Sequence, residues 1–189
     1  MKILIRGGSI PAGHGVSRGY GDILRDALAP RGIAVINRSR FGETSFDGIG
    51  TFREEVIPLR PDILILHFGM DDAFSAVYRS EFKENLVNMV RVAREAFDSA
   101  IWLPTGHILD DPWDMDAVAI FYRAIREVSL DLSCRFIPLH TIWAGVLQEK
   151  GLRNAGLLQA DQRYPNEKGH EILASILLRD VLKFSKFHN

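Results

Sequence analysis

Five short apolar segments alternate with amphipathic segments along the chain, and this alternation restricts the possible folds more than any other feature. The apolar segments are continuous and rich in Ile, Leu and Val, and they span residues 2–6, 33–37, 62–68, 100–104 and 135–140. Such runs are typical of parallel strands that are buried on both faces. Strands that alternate with helices form βαβ units, so the sequence predicts an α/β fold with a doubly wound parallel sheet.

The segments between the strands have apolar residues at spacings of three and four, which predicts helices with one buried face. The predicted stripes are Phe82, Leu86, Val90, Ala93 and Phe97, then Met115, Val118, Tyr122, Ile125 and Val128, and finally Ile172, Ile176 and Val181 in a helix that begins near Glu167. No repeat, low-complexity segment or linker interrupts this pattern. We therefore expect a single domain that spans residues 1–189.

The composition is that of an ordinary soluble protein, with 47% hydrophobic and 25% charged residues in 189. A net charge of -1 argues against a nucleic-acid partner, because no basic excess is present to neutralise phosphates. No apolar run approaches the roughly 20 residues that cross a bilayer, and the N-terminal apolar run is too short for a signal peptide. Cys134 is the single cysteine, so no internal disulfide can form. We expect a cytoplasmic protein that binds neither membrane nor nucleic acid.

Ligands of open parallel sheets bind beyond the carboxyl ends of the strands, so the residues that follow the predicted strands are the candidates for a site. Familiar motifs are absent from these positions. The chain has no phosphate-binding P-loop, and "GHGVSR" lacks the third glycine of a dinucleotide-binding fingerprint. The nucleophile elbow of α/β-hydrolases needs a glycine where Pro11 stands.

Four segments resemble, in order and spacing, the conserved blocks of the SGNH (GDSL-type) hydrolase family. They are "ILIRGGSIPAG", "VINRSRFGETS", "PDILILHFGMDDA" and "DQRYPNEKGHEILA". The resemblance implies a three-layer α/β/α sandwich with a five-stranded parallel sheet in the flavodoxin-like order 2-1-3-4-5. It also implies that Ser9 is the nucleophile, that the Gly42 N–H lines the oxyanion hole together with Ser9, and that Asp161 is the acid of a catalytic triad.

Three positions depart from the family pattern: Gly8 replaces an aspartate, Asp71 replaces the oxyanion-hole asparagine, and Tyr164 replaces the catalytic histidine. An ionised Asp71 has no proton to donate to an oxyanion, and one such donor contributes roughly 10²–10³ in rate. A phenol is mostly protonated at pH 7, and the loss of a general base costs roughly 10²–10⁴. The sequence therefore does not encode a standard Ser-His-Asp esterase.

Other side chains near the predicted strand ends are candidates for the pocket. His14 follows Ser9 in the same loop, and His107 and His140 each follow a strand, so one of them could replace the missing base. Arg40 could hold an anionic substrate, and Asp72 lies beside Asp71. The aromatic residues Trp113, Trp143, Phe74 and Tyr78 fit either a sugar-stacking cleft or core packing. The acidic run at 110–116 matches no standard metal cage, and we expect neither metal nor cofactor.

Two functional hypotheses remain open at this point. The first is an ester hydrolase of the SGNH type (an esterase, a lipase-like enzyme or a carbohydrate deacetylase) that acts on a small-molecule or carbohydrate ester. Its catalytic group would comprise Ser9, Asp161 and Tyr164, its oxyanion hole Ser9, Gly42 and Asp71, and its base would be atypical. The second is a non-hydrolytic relative that binds a ligand in the same pocket. The sequence favours the first because the serine, glycine and acid positions are all retained.

Overall fold

A computed structural model describes residues 1–187, so the last two residues of the predicted domain lie outside the described residues. Its five strands are β1 (Lys2–Gly7), β2 (Ala34–Asn37), β3 (Ile63–His67), β4 (Ala100–Pro104) and β5 (Arg135–Ile137). All neighbouring strands are parallel, and their order is β2-β1-β3-β4-β5. The predicted sheet and its strand order are confirmed.

In residues 1–187, eight α-helices accompany this sheet. They are α1 (Ser9–Ala12), α2 (Tyr20–Leu28), α3 (Ser45–Glu55), α4 (Met70–Ala73), α5 (Arg79–Ala96), α6 (Pro112–Asp131), α7 (Leu139–Lys150) and α8 (Glu167–Phe187), with short 3₁₀ turns at Ala29–Arg31, Ile57–Leu59 and Asn154–Leu157. Helices α2, α7 and α8 pack together as one layer, and α3, α5 and α6 form the other. Within residues 1–187, we find no helix long and apolar enough to cross a bilayer.

The central strands are buried along their whole length, which explains why their sequences are continuously apolar rather than alternating. Every residue of β3 is buried, and so is every residue of β1 after Lys2. The predicted helical stripes face this core, with Phe82, Val128 and Val181 fully buried. Burial of apolar surface of this kind is the main force that holds the three layers together.

The last strand is shorter than the sequence predicted. The apolar run at 135–140 suggested a strand over its full length, but β5 ends at Ile137 and α7 begins at Leu139. Pro138 has no N–H to donate to a neighbouring strand, and it is the residue at which the chain turns into the helix. His140 therefore lies in the first turn of α7 rather than at the end of a strand.

Candidate active site

Ser9 is the first residue of α1, immediately beyond the carboxyl end of β1, and it is fully buried. Its hydroxyl oxygen accepts a hydrogen bond from the Gly42 N–H at 2.9 Å. The same hydroxyl donates a short hydrogen bond to Oδ1 of Asp71. The serine thus has one backbone donor and one carboxylate acceptor in direct contact with its reactive oxygen.

Asp71 lies in α4, the short helix that follows β3, and its side chain is only 8% exposed. Its Oδ2 accepts a hydrogen bond from the Ser9 N–H at 2.7 Å. Its Oδ1 accepts from the Ser9 hydroxyl and from the Tyr164 hydroxyl, the latter at 3.3 Å. Three donors surround this carboxylate. One of them is the Ser9 N–H, which the family resemblance assigns to the oxyanion hole.

Gly8 makes this position of the carboxylate possible. A Cβ atom at residue 8 would lie 2.0 Å from Oδ2 of Asp71 and 2.5 Å from the backbone oxygen of Glu43. Any side chain there would push the carboxylate away from the Ser9 N–H. Two of the three departures from the family pattern, Gly8 and Asp71, are therefore complementary in space.

Tyr164 is half-buried and directs its hydroxyl at the Asp71 carboxylate. Burial and the negative charge of Asp71 raise the pKa of the Tyr164 phenol above its usual value. The phenol therefore remains protonated at neutral pH and acts as a hydrogen-bond donor. The structure does not give it the role of a base, which the family resemblance assigns to this position.

Asp161, the expected triad acid, is exposed and contacts its own loop. Its Oδ1 accepts hydrogen bonds from the backbone N–H groups of Arg163 at 2.9 Å and Tyr164 at 3.2 Å. A triad acid orients an imidazole by accepting its second N–H, and a phenol has no second polar atom to offer. In this structure the carboxylate fixes the turn that carries Tyr164, and the triad role expected of Asp161 stays a prediction.

His14 and His107, two of the candidate histidines, lie in different environments. His14 borders the site, because its ring stacks on Phe41 with the centroids 3.8 Å apart and meets the edge of Tyr164 at 5.1 Å. His107 was expected in the pocket, but it is fully buried against Trp143, and burial lowers its pKa to about 3. Within the described part of the chain, no histidine nitrogen hydrogen bonds to the Ser9 hydroxyl.

Asp72 was also a pocket candidate, but its carboxylate is fully buried in the protein interior. Oδ1 accepts a hydrogen bond from the Ser45 N–H at 2.8 Å, and Oδ2 accepts one from the Gly69 N–H at 2.9 Å. Burial raises the pKa of Asp72 to about 6, although these bonds oppose the shift. Asp72 therefore connects α3 to α4 and does not face a ligand.

An open cavity of about 610 Å³ begins at Gly42 and extends along the start of α3. Arg40, a pocket candidate from the sequence, lines this cavity, but its guanidinium is paired with Glu55 and lies 3.5 Å from Glu43. The exposed rings of Phe41 and Phe46 form the apolar part of the wall. The wall of this cavity therefore combines aromatic surface with an arginine whose charge is neutralised by Glu55.

Sequence reasoning missed Arg6, a fully buried arginine next to the last residue of β1. Its guanidinium makes a bidentate ion pair with the buried Glu43 and donates to the Arg38 carbonyl and the Thr51 hydroxyl. These bonds hold the loop that presents the Gly42 N–H to Ser9. The signal was a charged residue directly after the apolar run Ile-Leu-Ile of the segment "KILIR".

Replacing Arg6 is expected to destabilise the fold because Glu43 would be left buried without its partner. We expect Arg6→Met to lower the free energy of unfolding by about 3–5 kcal/mol, the usual cost of breaking a buried pair. Urea unfolding at pH 7 measures this. The double variant Arg6→Met/Glu43→Gln is the control and should recover part of the loss. A single variant within about 1 kcal/mol of the parent would show that the pair contributes little.

No metal site is evident in residues 1–187, where no group of three or more His, Cys, Asp or Glu side chains is arranged to bind an ion. The acidic residues at 110–116 are engaged otherwise. Asp111 caps α6 by accepting from the Asp114 N–H, and Asp114 binds Arg163 at 2.7 Å. Arg163 also stacks over Phe74, with its guanidinium carbon 4.2 Å from the ring centroid, which anchors the loop of Tyr164.

The chain matches the model of the GDSL-like lipase/acylhydrolase family over residues 6–172. It belongs to this family. The predicted family is thus confirmed, and with it the class of ester-cleaving enzymes to which the serine position is suited.

Family members of established identity are distant but cover most of the chain. Esterase TesA of Pseudomonas aeruginosa is 25% identical over 169 residues, which are 87% of this chain and 80% of the relative. An acetylxylan esterase of Geobacillus stearothermophilus is 25% identical over 174 residues, which are 84% and 77% of the two chains.

Solved structures of GDSL-like enzymes agree in fold. The crystal structure of that acetylxylan esterase, Axe2, is similar with a TM-score of 0.81 and 25% identity, covering 95% of this chain and 93% of the other. A lipase/acylhydrolase from Enterococcus faecalis is similar with a TM-score of 0.78 and 26% identity, covering 95% and 94%.

Proposed function

We propose that this chain hydrolyses esters with Ser9 as the nucleophile and with Asp71, rather than a histidine, as the group that accepts the serine proton. The observation that carries this proposal is the direct hydrogen bond from the Ser9 hydroxyl to Oδ1 of Asp71. A general base must lie within hydrogen-bond reach of the proton that it removes, and Asp71 meets this requirement.

In the first step, the Ser9 oxygen attacks the ester carbonyl carbon while its proton passes to Oδ1 of Asp71. The carbonyl π bond breaks, and the negative charge moves to the carbonyl oxygen. When the tetrahedral intermediate collapses, the bond to the alcohol oxygen breaks and that oxygen takes the proton from Asp71. A water molecule then attacks the acyl carbon on Ser9 while Asp71 takes its proton. The bond to the Ser9 oxygen breaks, that oxygen takes the proton back from Asp71, and the carboxylic acid is released.

The negative charge of Asp71 does not oppose these reaction steps, because the proton transfer neutralises it. An ionised Asp71 would repel an oxyanion, but the carboxylate becomes neutral in the step that creates the oxyanion. The site therefore holds one negative charge before and after the transfer. The Gly42 N–H, which lies 2.9 Å from the Ser9 oxygen, and the protonated Tyr164 hydroxyl are the donors available to stabilise the new charge.

Turnover should be slow. Carboxylates are weaker bases than imidazoles, with ordinary pKa values of about 4 and about 6.5, so proton transfer from serine is less favourable. The Ser9 N–H is also occupied by Asp71, which leaves fewer donors for the oxyanion than the family pattern provides.

The substrate class that fits best is an ester of a small molecule or a carbohydrate. One relative is named an esterase and the other an acetylxylan esterase, and the second name supports an acetyl ester of a carbohydrate. The cavity beside Gly42 offers the exposed faces of Phe41 and Phe46 for the remainder of the substrate. Flat aromatic surface suits both sugar rings and apolar alcohols.

A second candidate function, ligand binding without hydrolysis, is favoured by one observation. The Ser9 N–H already donates to the Asp71 carboxylate, so it is not free to stabilise an oxyanion. A ligand with a hydroxyl or a cationic group could instead bind this carboxylate without being cleaved.

Hydrolysis of p-nitrophenyl acetate distinguishes the two functions. We expect slow turnover that falls by about 10² or more in Ser9→Ala, because the nucleophile is lost. Mass spectrometry should find an acetyl group on Ser9 early in the reaction. Ser17→Ala, at an exposed serine that hydrogen bonds to Glu167, is the matched control and should keep the parent rate. A parent rate no higher than that of Ser9→Ala, with no acetylated Ser9, would favour the binding function instead.

A further inference from the structure

A second cavity, of about 380 Å³, lies beyond the carboxyl end of the edge strand β5. One wall is a face of α6, the floor comes from β5, and the other wall is the first turn of α7. The lining residues are Met115, Ala119, Tyr122, Arg123, Arg126, Phe136, Pro138, His140 and Thr141. This volume is in the range of pockets that bind small organic molecules.

The charged residues of this cavity are all basic. Arg123 and Arg126 lie one turn apart on α6, and no carboxylate belongs to the lining. In the described residues neither guanidinium has an ion-pair partner. The nearby acid Glu127 is already bound by Arg79 at 2.5 Å and by Lys83 at 3.2 Å. Two guanidinium groups without partners at one cavity create a local excess of positive charge that an anion would neutralise.

Polar groups of the α7 wall are fixed in position. His140 Nδ1 and the Thr105 hydroxyl are 2.7 Å apart in a hydrogen bond, and the His140 N–H also donates to Thr105 Oγ1 at 3.3 Å. The Tyr122 hydroxyl is occupied because it donates to the His107 carbonyl at 2.9 Å. Tyr122 therefore presents its ring rather than its hydroxyl to a ligand, next to the rings of Phe136 and Pro138.

We propose that this cavity binds a small organic anion that has an apolar body, such as an aromatic carboxylate or phosphate monoester. The guanidinium fork is matched to the two oxygens of a carboxylate or phosphate, and the aromatic wall accepts the body. A purely inorganic anion would leave the apolar surface unfilled, and a neutral aromatic compound would leave both arginines without partners.

This site is separate from Ser9. β5 is three strands from β1 in the sheet, a separation of about 14 Å at the usual strand spacing. The two sites share no residue. The proposal is therefore independent of the esterase mechanism, and it holds whether or not the Ser9 site cleaves esters.

Titration of the protein with benzoate, phenyl phosphate, inorganic phosphate and benzyl alcohol, followed by amide chemical shifts in NMR, tests the proposal. We expect benzoate or phenyl phosphate to give saturable shifts at Ala119, Phe136 and Thr141. Benzyl alcohol and inorganic phosphate should each bind at least about tenfold more weakly, because each supplies half of the interaction. Stronger binding by one of the two aromatic anions identifies whether the site prefers a carboxylate or a phosphate.

Variants separate this cavity from other binding. Arg123→Gln/Arg126→Gln should weaken binding at least about tenfold, and Ala119→Phe should block the cavity without changing its charge. Arg53→Gln/Arg91→Gln is the matched control, because it also removes two exposed helix arginines and should leave binding intact. Absence of saturable shifts, shifts confined to Ser9 and Gly42, or equal binding by the Arg123/Arg126 variant would each overturn the proposal.

Discussion

Lowering the pH from 7 to 4.5 is expected to reduce the free energy of unfolding by about 6 kcal/mol, because three histidines are buried in the neutral form. His67, His107 and His170 are at most 3% exposed. Burial lowers the pKa of His67 to about 3, of His107 to about 3 and of His170 to about 4. A loss of this size is comparable with the whole stability of many domains.

The direction follows from proton uptake by the unfolded chain. Below about pH 6.5, unfolded histidines bind protons that the folded protein excludes, so each contributes a loss of about 1.4 kcal/mol per pH unit until its folded pKa is reached. Asp72 acts in the opposite direction. Its folded pKa of about 6 exceeds the ordinary value, so it binds a proton in the fold first and offsets about one histidine below pH 6.

Chemical unfolding measured at several pH values between 7 and 4.5 tests this expectation. His107→Leu is the informative variant, because the His107 ring is fully buried and its pKa is lowered to about 3. This variant should lower the slope of the unfolding free energy against pH by about 1.4 kcal/mol per pH unit, because the unfolded chain then takes up one proton fewer. A stability that stays constant down to pH 4.5 would contradict the buried neutral state.

The fold could be predicted because its strands are continuous apolar runs and its helices carry apolar residues at regular spacing. The apolar runs of β1 and β3 and the stripes of α5 and α6 record burial directly in the sequence, and the family blocks supplied the strand order. The end of β5 was missed because Pro138 belongs to an apolar run but removes a backbone donor. Trp113 and Trp143 show the limit of composition: Trp143 is fully buried and Trp113 is 83% exposed, yet both are tryptophans near strand ends.

The members of the site could be predicted, but not their contacts. Ser9, Gly42, Asp71 and Tyr164 meet at one sheet edge because the four blocks follow strands or return to that edge. The position of the Asp71 carboxylate on the Ser9 N–H depends on the missing Cβ of Gly8, an atom-scale fit that no spacing of residues encodes. Likewise, the sequence presents His107 as a residue after a strand, whereas three-dimensional packing encloses it.

The second large effect is expected at Asp71, where the family carries asparagine. If Asp71 accepts the Ser9 proton, Asp71→Asn removes the base and replaces one acceptor oxygen with an amide NH₂ group that faces the Ser9 donors. We expect Ser9-dependent ester hydrolysis to fall by about 10²–10⁴. If the site instead follows the ordinary family mechanism, the same change restores an oxyanion-hole donor and activity should rise.

Asp161→Asn is the matched control for this variant, because it makes the same chemical change at the position of the expected triad acid. An asparagine oxygen can still accept the backbone N–H groups of Arg163 and Tyr164, so we expect a change of less than about threefold. A triad would show the opposite pattern, with Asp161→Asn as the damaging change.

The most direct test of the account is therefore the rate of p-nitrophenyl acetate hydrolysis at pH 7.5 by the parent, Asp71→Asn and Asp161→Asn, each corrected for the rate of its own Ser9→Ala variant. If Asp71 is the base, the corrected rate of Asp71→Asn falls at least about 10²-fold while Asp161→Asn keeps the parent rate. An unchanged or higher rate in Asp71→Asn, or a comparable loss in Asp161→Asn, would contradict the role of Asp71 as the base.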